Sequence, residues 1–368
     1  MIKVFEPNLS LHDKLSVLKT MQNSFISGTS PIIKEFEEAL AEQFGKKYCT
    51  VLSNGSVALD VALKLYNFEE GDEVILPSFT IISCLSAILR TKAKPVFCDI
   101  DEISWNMTVE NVKKVVTKNT KAIILVHLYG LIGEVDEIVN FCSENNIYII
   151  EDAAEAHGQI AGNKKCGSIG DISTFSFYAN KHITTGEGGA ILTDSSTKYL
   201  EIKKMINLDF DDNKRFVHEN LYWNYRLSGL QAALGISQIK NLKKTINGKI
   251  KQGNYYNELL KDLNDNIQLP LSLYNNTQNH YWVYGIVLKN HRLKIEFIEF
   301  LKINNIETRP FFYPLHLQPA LHSKFKNTTT DLTVSESLYK SGLYIPIGSH
   351  INKKNQKYIS EIIHKFFN

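Results

Sequence analysis

The sequence predicts an α/β protein in which helices flank a mostly parallel sheet. Three observations support this fold class. Short apolar segments of strand length alternate with amphipathic segments of helix length, polar or glycine-containing turns separate them, and 43% of the residues are hydrophobic. Such alternation is typical of βαβ units. A chain of 368 residues is long enough for about two domains.

The first part of the chain carries the alternating pattern. A helix is predicted at 31–44, where apolar residues recur at helical spacing after Ser30 and Pro31. The segments that follow are listed by type. Strands are predicted at 48–52, 73–76, 95–98, 122–126, 147–150, 173–177 and 190–193, and helices at 57–65, 83–89, 109–116 and 135–144.

The pattern changes near residue 245. A helix rich in lysine and asparagine is predicted at 243–263, and a polar loop follows it. An alternating run at 281–287, a helix at 295–303 and a last helix at the C-terminus complete the chain. We therefore expect a large α/β domain over 1–245, with an N-terminal arm, and a smaller C-terminal α+β domain over 246–368.

Composition narrows the class of protein. The chain has 41 Lys and Arg residues against 39 Asp and Glu residues, so we expect neither nucleic acid nor an anionic membrane as a partner. No apolar run is long enough to span a membrane, and the start lacks the apolar core of a signal peptide. The five cysteines are widely spaced in apolar surroundings, which favours reduced core thiols over disulfides or a metal site. We expect a cytoplasmic protein without a bound metal.

The stretch from Asp171 to Gly189 delivers one lysine, Lys181, into a polar loop behind an apolar strand. Three glycines at 186, 188 and 189 permit tight turns with positive φ. A desolvated lysine has a lowered pKa and can act as a neutral amine nucleophile, whereas most lysines are solvated surface charges. The residues of this stretch leave both interpretations open.

Two other predicted strands end in polar residues, at the edge where open α/β sheets bind ligands. The turn from Ser53 to Ser56 leads into a helix, which suits either an anion site or an ordinary N-cap. Asp152 and Glu155 follow the strand at 147–150. A partly buried Asp152 needs a cationic partner such as a pyridinium nitrogen, unless these carboxylates only cap a helix.

A fourth segment, Trp223 to Ala233, runs into a helical pattern with small residues. Asn224 and Arg226 suit contact with a ligand and interface hydrogen bonds equally. The motifs of hydrolases (G-x-S-x-G), of nicotinamide binding (G-x-G-x-x-G) and of Cys/His metal sites are not found in the sequence.

Taken together and in this order, the segments resemble the DegT/StrS family of sugar-nucleotide aminotransferases over nearly the whole chain. Further matching segments are Gly71–Ile75, His127–Gly130 and Arg309–His316. The resemblance implies the type I fold of pyridoxal-phosphate-dependent transferases, with a mostly parallel seven-stranded sheet. It also implies a homodimer in which both subunits build each active site.

The resemblance implies roles for the matching residues. Lys181 would bind the cofactor covalently and later move the proton, Asp152 would pair with its ring nitrogen, and Glu155 would lie beside the ring. Positions matching the phosphate-binding group are Gly55, Ser56, Ser176 and, from the neighbouring subunit, Asn224. Arg309 and His316 would lie toward the sugar nucleotide.

The implied reaction has two halves. L-Glutamate gives its amino group to pyridoxal phosphate, which leaves pyridoxamine phosphate as the intermediate form. That amino group then passes to the C4 ketone of GDP-4-keto-6-deoxy-D-mannose. The alternatives are a UDP- or dTDP-linked keto sugar aminated at C3 or C4, a 3-dehydratase for the same GDP-keto sugar, and a non-catalytic cofactor-binding protein.

Two positions depart from the family pattern. Ile81 stands where members usually carry an aromatic residue that stacks on the cofactor ring, so either Ile81 or another side chain must cover the ring. His182 follows the lysine where a small polar residue is common, and the 3-dehydratases use a histidine in place of that lysine. The alignment through the glycine turn puts Lys181, and not His182, in the lysine position.

Overall fold

The structure is a computed structural model that describes residues 1–210, 214–321 and 331–368. The other elements are arranged around one large sheet, and the candidate site lies at its carboxyl edge. The helices of these residues are α1 (Leu11–Gln22), α2 (Pro31–Phe44), α3 (Gly55–Lys64), α4 (Ile82–Leu89), α5 (Val109–Val115), α6 (Val135–Glu144), α7 (Ser196–Met205), α8 (Gly229–Leu260), α9 (Lys294–Ile303), α10 (Thr333–Ser341) and α11 (Lys353–Phe367). The strands are β1 (Tyr48–Leu52), β2 (Glu73–Pro77), β3 (Lys94–Cys98), β4 (Thr120–Val126), β5 (Tyr148–Asp152), β6 (Ile160–Ala161), β7 (Lys164–Lys165), β8 (Ile172–Ser176), β9 (Gly189–Thr193), β10 (Ile267–Gln268), β11 (Leu273–Tyr274), β12 (Thr277–Gln278), β13 (Tyr284–Leu288), β14 (Arg309–Pro310) and β15 (Gly342–Ile345).

The large sheet has seven strands in the order β1-β9-β8-β5-β4-β2-β3. The pairs from β8 to β3 are parallel, whereas β9 runs antiparallel to both of its neighbours. Adjacent residues of β9 face opposite sides: Ile191 packs into one apolar cluster and Leu192 into another. The sheet is therefore covered on both faces, and the predicted α/β class with a mostly parallel sheet is confirmed.

Helix α2 shows how the local sequence fixes an element. Pro31 occupies the first turn, and Gly45 ends the helix with a φ of 79°, a conformation that glycine adopts without strain. Phe36, Leu40 and Phe44 lie on the buried face of the helix. This face packs with α8 over one side of the sheet.

The C-terminal part of the chain has its own four-stranded sheet, in the order β10-β13-β15-β14. This sheet and the helices packed on it form a separate apolar cluster that includes Tyr256, Ile286 and Phe297. Helix α8 contributes to both this cluster and the one beneath the large sheet, and it runs without a break through residue 245. The division of the chain at residue 245 stays a prediction.

Two observations concern the surface and the thiols. No helix of the described ranges is both long and apolar enough to cross a membrane. All five cysteines fall in these ranges, and each is buried with a free thiol.

Candidate active site

The carboxyl edge of the large sheet borders a cavity of about 930 Å³. Strands β1, β5 and β8 end here, and β9 begins here at Gly189. Gly189 lies opposite both Leu52 and Ser176 in the sheet. A Cβ atom at Gly189 would lie 2.6 Å from the carbonyl carbon of Asn54, so only glycine lets these backbones meet. The polar ends of three strands are thereby brought to one cavity.

The loop after β8 places Lys181 in this cavity. The Lys181 N–H donates to the Tyr178 carbonyl at 2.9 Å, and the Phe177 N–H donates to the Gly188 carbonyl at 2.8 Å. Gly186 has a φ of 81°, in the left-handed region that favours glycine. The glycine turn noted in the sequence therefore closes the loop that carries the lysine.

Lys181 is buried, with 9% of its side chain exposed. Its Nζ atom lies 3.6 Å from Glu155 Oε1 and 3.7 Å from the centre of the Trp282 ring. Burial lowers the pKa of Lys181, and the nearby Glu155 and Asp152 act in the opposite direction. This is the desolvated environment expected of a lysine nucleophile and not that of a surface lysine. Its catalytic role stays a prediction.

Asp152 ends β5 and is 4% exposed. The Ala154 N–H donates to Asp152 Oδ1 at 3.1 Å, and the Cys84 thiol donates to Oδ2 at 3.4 Å. Burial raises the pKa of Asp152, while the charge of Lys181 opposes this shift. A buried carboxylate with such weak donors is stabilised further by a cationic partner.

Glu155 lies on the turn after β5 and is 6% exposed. The Tyr129 N–H donates to Glu155 Oε2 at 3.0 Å, and the other carboxylate oxygen faces Lys181. Burial raises the pKa of Glu155 to about 7, although Lys181 acts to lower it. Glu155 can therefore bind or release a proton near neutral pH.

The turn from β1 into α3 forms a cradle of small residues at a helix N-terminus. Asn54 caps the helix, with its side-chain oxygen accepting the Val57 N–H at 2.9 Å. A Cβ atom at Gly55 would lie 2.7 Å from Ser176 Cβ, so the glycine backbone approaches β8 directly. Ser56 lines the cavity beside Gly55. Free N–H groups at such a terminus attract anions. The cradle thus meets the requirement for a phosphate site.

His182 lies in different surroundings from those of Lys181. It is 3% exposed, and its ring centre lies 6.1 Å from that of His157. It borders a second pocket of about 220 Å³ that also touches Lys181, and it does not belong to the residues that line the larger cavity. The structure thus brings Lys181, and not His182, to Asp152 and Glu155.

Ile81 and Asn224 have different positions relative to the cavity. Ile81 precedes α4, lines the cavity and is 42% exposed. Ala154 lines it as well, so two aliphatic side chains border the space where the resemblance puts the cofactor ring. Asn224 is exposed and does not line the cavity of its own chain. Its side-chain oxygen accepts the Arg226 N–H at 3.3 Å.

Arg309 and His316 lie outside the cavity. Arg309 pairs with Glu307 at 3.0 Å and stands beside the cavity residue Tyr344 in the small sheet. His316 Nδ1 lies 2.7 Å from Ser78 Oγ, and only 7% of its side chain is exposed. His316 thus links the C-terminal part of the chain to the end of β2. Contact of Arg309 and His316 with the sugar nucleotide stays a prediction.

Several aromatic residues of the C-terminal part belong to the cavity although the sequence did not predict them there. Trp282, Phe312 and Tyr344 all line the cavity. Trp282 falls within the run predicted as a strand at 281–287, and its type and spacing gave no sign of a ligand contact. Only the tertiary fold brings these rings into the cavity that contains Lys181.

The fold, the buried lysine and the phosphate cradle define a class of aminotransferase. Residues 9–364 match the model of the DegT/DnrJ/EryC1/StrS aminotransferase family. The chain belongs to this family.

Relatives with established names are similar over the full length of the chain. The GDP-perosamine synthase of Escherichia coli O157:H7 is 34% identical over 366 residues, which covers 100% of this chain and 98% of that protein. The GDP-perosamine synthase of Vibrio cholerae is 34% identical over 375 residues and covers 100% of both. A solved aminotransferase of Helicobacter pylori, involved in pseudoaminic acid biosynthesis, superimposes with a TM-score of 0.94 at 25% identity, covering 100% of this chain and 99% of that one.

Pyridoxal phosphate is the cofactor of this enzyme class, and the residues of the cavity fit it. The phosphate requires an anion site, which the start of α3 offers beside Gly55 and Ser56. The ring nitrogen requires a buried carboxylate, which Asp152 supplies. The aldehyde requires an amine, and the Lys181 Nζ atom shares this cavity.

Proposed function

We propose that this protein transfers the amino group of L-glutamate to the C4 ketone of GDP-4-keto-6-deoxy-D-mannose and so forms GDP-perosamine. The observation that carries the proposal is the full-length identity of 34% with two GDP-perosamine synthases. The buried group of Lys181, Asp152 and Glu155 supports it, because these residues provide an amine, an anion and a group that titrates near neutral pH.

In this proposal, each half-reaction depends on a proton moved by Lys181. Nζ takes the proton from the α-carbon of glutamate in the first half and returns a proton to C4 of the sugar in the second. The chemistry that pyridoxal phosphate would supply when bound is an electron sink for the pair left by the broken C–H bond. Asp152 would pair with the protonated ring nitrogen, and Gly55, Ser56 and Ser176 would hold the phosphate. Glu155 keeps a counter-charge 3.6 Å from the Lys181 Nζ atom.

We also propose a homodimer in which Asn224 of one subunit contacts the phosphate in the other. Helix α1 exposes a row of apolar residues: Leu11, Leu15, Leu18 and Met21 are each at least half exposed. Leu221 and Trp223 are 94% and 65% exposed and lie next to Asn224 in the chain. Apolar surface of this kind is typical of a subunit interface.

The product would be a nucleotide-activated amino sugar, and a glycosyl transfer would consume it. We propose that the sugar enters a surface polysaccharide such as the O-antigen of lipopolysaccharide, and that the enzyme works in the cytoplasm. Both points rest on the resemblance to the family.

The test is mass analysis of the products from GDP-4-keto-6-deoxy-D-mannose incubated with the protein, pyridoxal phosphate and L-glutamate. We expect an amine in place of the ketone and one 2-oxoglutarate for each amine formed. A matched reaction with a UDP- or dTDP-linked 4-keto sugar measures specificity for the nucleotide.

Two other outcomes would contradict the proposal. A product deoxygenated at C3 would make the protein a dehydratase, against the position of Lys181 beside Asp152. Faster turnover of a UDP- or dTDP-linked sugar would keep the aminotransferase chemistry and change the substrate.

A further inference from the structure

Trp282 forms one wall of the space around Lys181. The ring is 6% exposed, and the Lys181 Nζ atom lies 3.7 Å from its centre. Nζ is therefore held between an aromatic face and the carboxylate of Glu155. Trp is the aromatic side chain that attracts a cation most strongly, and the attraction grows when water is excluded.

One hydrogen bond holds the ring of Trp282 and another holds its backbone. The Trp282 Nε1–H donates to the carbonyl of Asn180, the residue before Lys181, at 3.1 Å. The Trp282 carbonyl accepts a hydrogen bond from Lys249 Nζ at 2.7 Å. The lysine loop thus holds the ring of Trp282, and helix α8 holds its backbone.

The backbone around Trp282 is also joined to the large sheet. The His280 N–H donates to the Gly130 carbonyl at 2.9 Å, and a Cβ atom at Gly130 would lie 2.6 Å from the Trp282 nitrogen. Gln159 donates to the carbonyls of Gly130 and Gln278. A shift of the backbone at Trp282 would therefore disturb several contacts at once.

We propose that Trp282 is a positioning residue, which holds the Lys181 ammonium beside Glu155 between the acceptance and the release of the proton. This deepens the proposed function, because it concerns the state in which Lys181 carries the proton. The ring stabilises the charged amine and restricts it to one side of the cavity. Loss of the aromatic face then favours the neutral amine.

Other charged and titratable groups also affect Lys181. Asp152 and Glu155 favour its charged form. Burial lowers the pKa values of His157 and Lys249, and the nearby charge of Lys181 lowers both further. The test must change the aromatic face and leave these four groups in place.

The test uses the cofactor-free protein and measures the pH profile of Lys181 labelling by acetic anhydride, with mass spectrometry of the peptide. We expect the midpoint of Trp282→Leu to fall by about half a unit or more. This corresponds to about threefold more labelling at a pH below the midpoint. Trp282→Phe keeps an aromatic face, so its labelling midpoint should lie closer to that of the wild type than to that of Trp282→Leu. Lys198, which lies over Tyr66 at 4.4 Å, is an internal reference whose profile should not change.

A second measurement uses the wild-type ring itself. The chain has three tryptophans, so 5-fluorotryptophan gives a simple ¹⁹F spectrum. The Trp282 signal should titrate with the Lys181 midpoint and lose this transition in Lys181→Met.

Either of two results would overturn the proposal. One is a Trp282→Leu profile that coincides with the wild type in a folded protein, and the other is a Trp282 signal that does not respond to Lys181. Neither measurement uses a nucleotide sugar, so each stands or fails apart from the proposed substrate.

Discussion

Lys181, Asp152 and Glu155 are three buried charges whose proton affinities depend on one another. Burial favours the neutral form of each group, whereas Lys181 opposes this at both carboxylates and both carboxylates oppose it at Lys181. The site therefore holds a lysine that can lose its proton and a glutamate that can gain one near neutral pH. The first two predictions concern these residues.

Lys181→Ala should abolish formation of the amino sugar, because no other amine would move the proton at this position. Product mass analysis measures the effect. Lys164→Ala is the matched control, since Lys164 is 44% exposed and pairs with Asp136. Substantial residual transamination by Lys181→Ala would remove the assigned role.

Asp152→Asn should lower kcat by several orders of magnitude, because an amide cannot keep the ring nitrogen protonated. Steady-state rates at saturating cofactor separate this effect from weaker binding. The conservative Asp152→Glu should recover part of the rate. A near-normal rate for Asp152→Asn would exclude the pyridinium pair.

At the scale of elements, the start of α3 matters most, because a helix N-terminus and a strand end meet there without an intervening side chain. Gly55 permits this approach to Ser176. The contact depends on the missing Cβ atom and not on an unusual backbone angle. Adding a methyl group at residue 55 therefore tests directly whether this close approach forms the phosphate site.

Gly55→Ala should weaken binding of pyridoxal phosphate by about tenfold or more, because the new Cβ atom would force the cradle open. Absorbance titration of the cofactor-free protein measures the dissociation constant. Gly248→Ala in α8 is the control: a Cβ atom there meets nothing within 4 Å, and stability should be equal or slightly higher. Unchanged cofactor affinity in Gly55→Ala would place the phosphate elsewhere.

Local signals allowed many elements to be predicted from the sequence. Helix α2 and strand β1 occupy their predicted ranges, since a proline, a glycine and a clear periodicity delimit them. Strand β13 begins at Tyr284, three residues after the predicted start. Tyr281 has a φ of 48°, which a strand does not permit, and the neighbouring His280 is bonded to Gly130.

The residues of the candidate site also divide into those that local sequence signals predict and those that they do not. Lys181, Asp152 and Gly55 stand at strand ends, so the sheet topology brings them together as the sequence predicted. Trp282 reaches Lys181, and Lys249 reaches Trp282, only through long-range packing. No spacing in the sequence records that packing.

For the whole molecule, a group of buried histidines links acidity to stability. His157, His182 and His280 are 0%, 3% and 8% exposed. Burial lowers the pKa of His157 to about 3 and that of His280 to about 4, and it lowers the pKa of His182 well below its ordinary value. Below their ordinary pKa, the unfolded chain binds protons that the folded chain does not.

The free energy of unfolding should therefore fall as the pH falls below about 6.5, by up to about 1.4 kcal/mol per pH unit for each histidine. Urea unfolding of the cofactor-free protein between about pH 7 and pH 5 measures the slope. In His157→Gln, the slope of the unfolding free energy against pH should be smaller by the contribution of about one proton. The exposed His12 provides the control, His12→Gln, which should follow the wild type. Equal slopes in all three proteins would contradict the prediction.

The proposed dimer makes a prediction about mixed subunits. Lys181→Ala and Asn224→Ala should each be nearly inactive alone, whereas refolding them together should restore roughly a quarter of wild-type activity. A hybrid then contains one site with an intact lysine and an intact asparagine from the other subunit. No recovery, in a sample shown by light scattering to be dimeric, would mean that Asn224 acts within its own chain.

Helix α8 is connected to the lysine loop once directly and once through Trp282. Gln231 near its start donates to the Glu187 carbonyl at 2.6 Å, and Lys249 farther along holds Trp282. A helix turns by about 100° per residue, so inserting or deleting one residue between these positions would rotate one contact away from the other. We therefore expect natural relatives to vary in length in surface loops and to keep the number of residues between these two positions constant. Helix α8 thus fixes the distance between its two contacts, and the number of residues between Gln231 and Lys249 should be inherited unchanged.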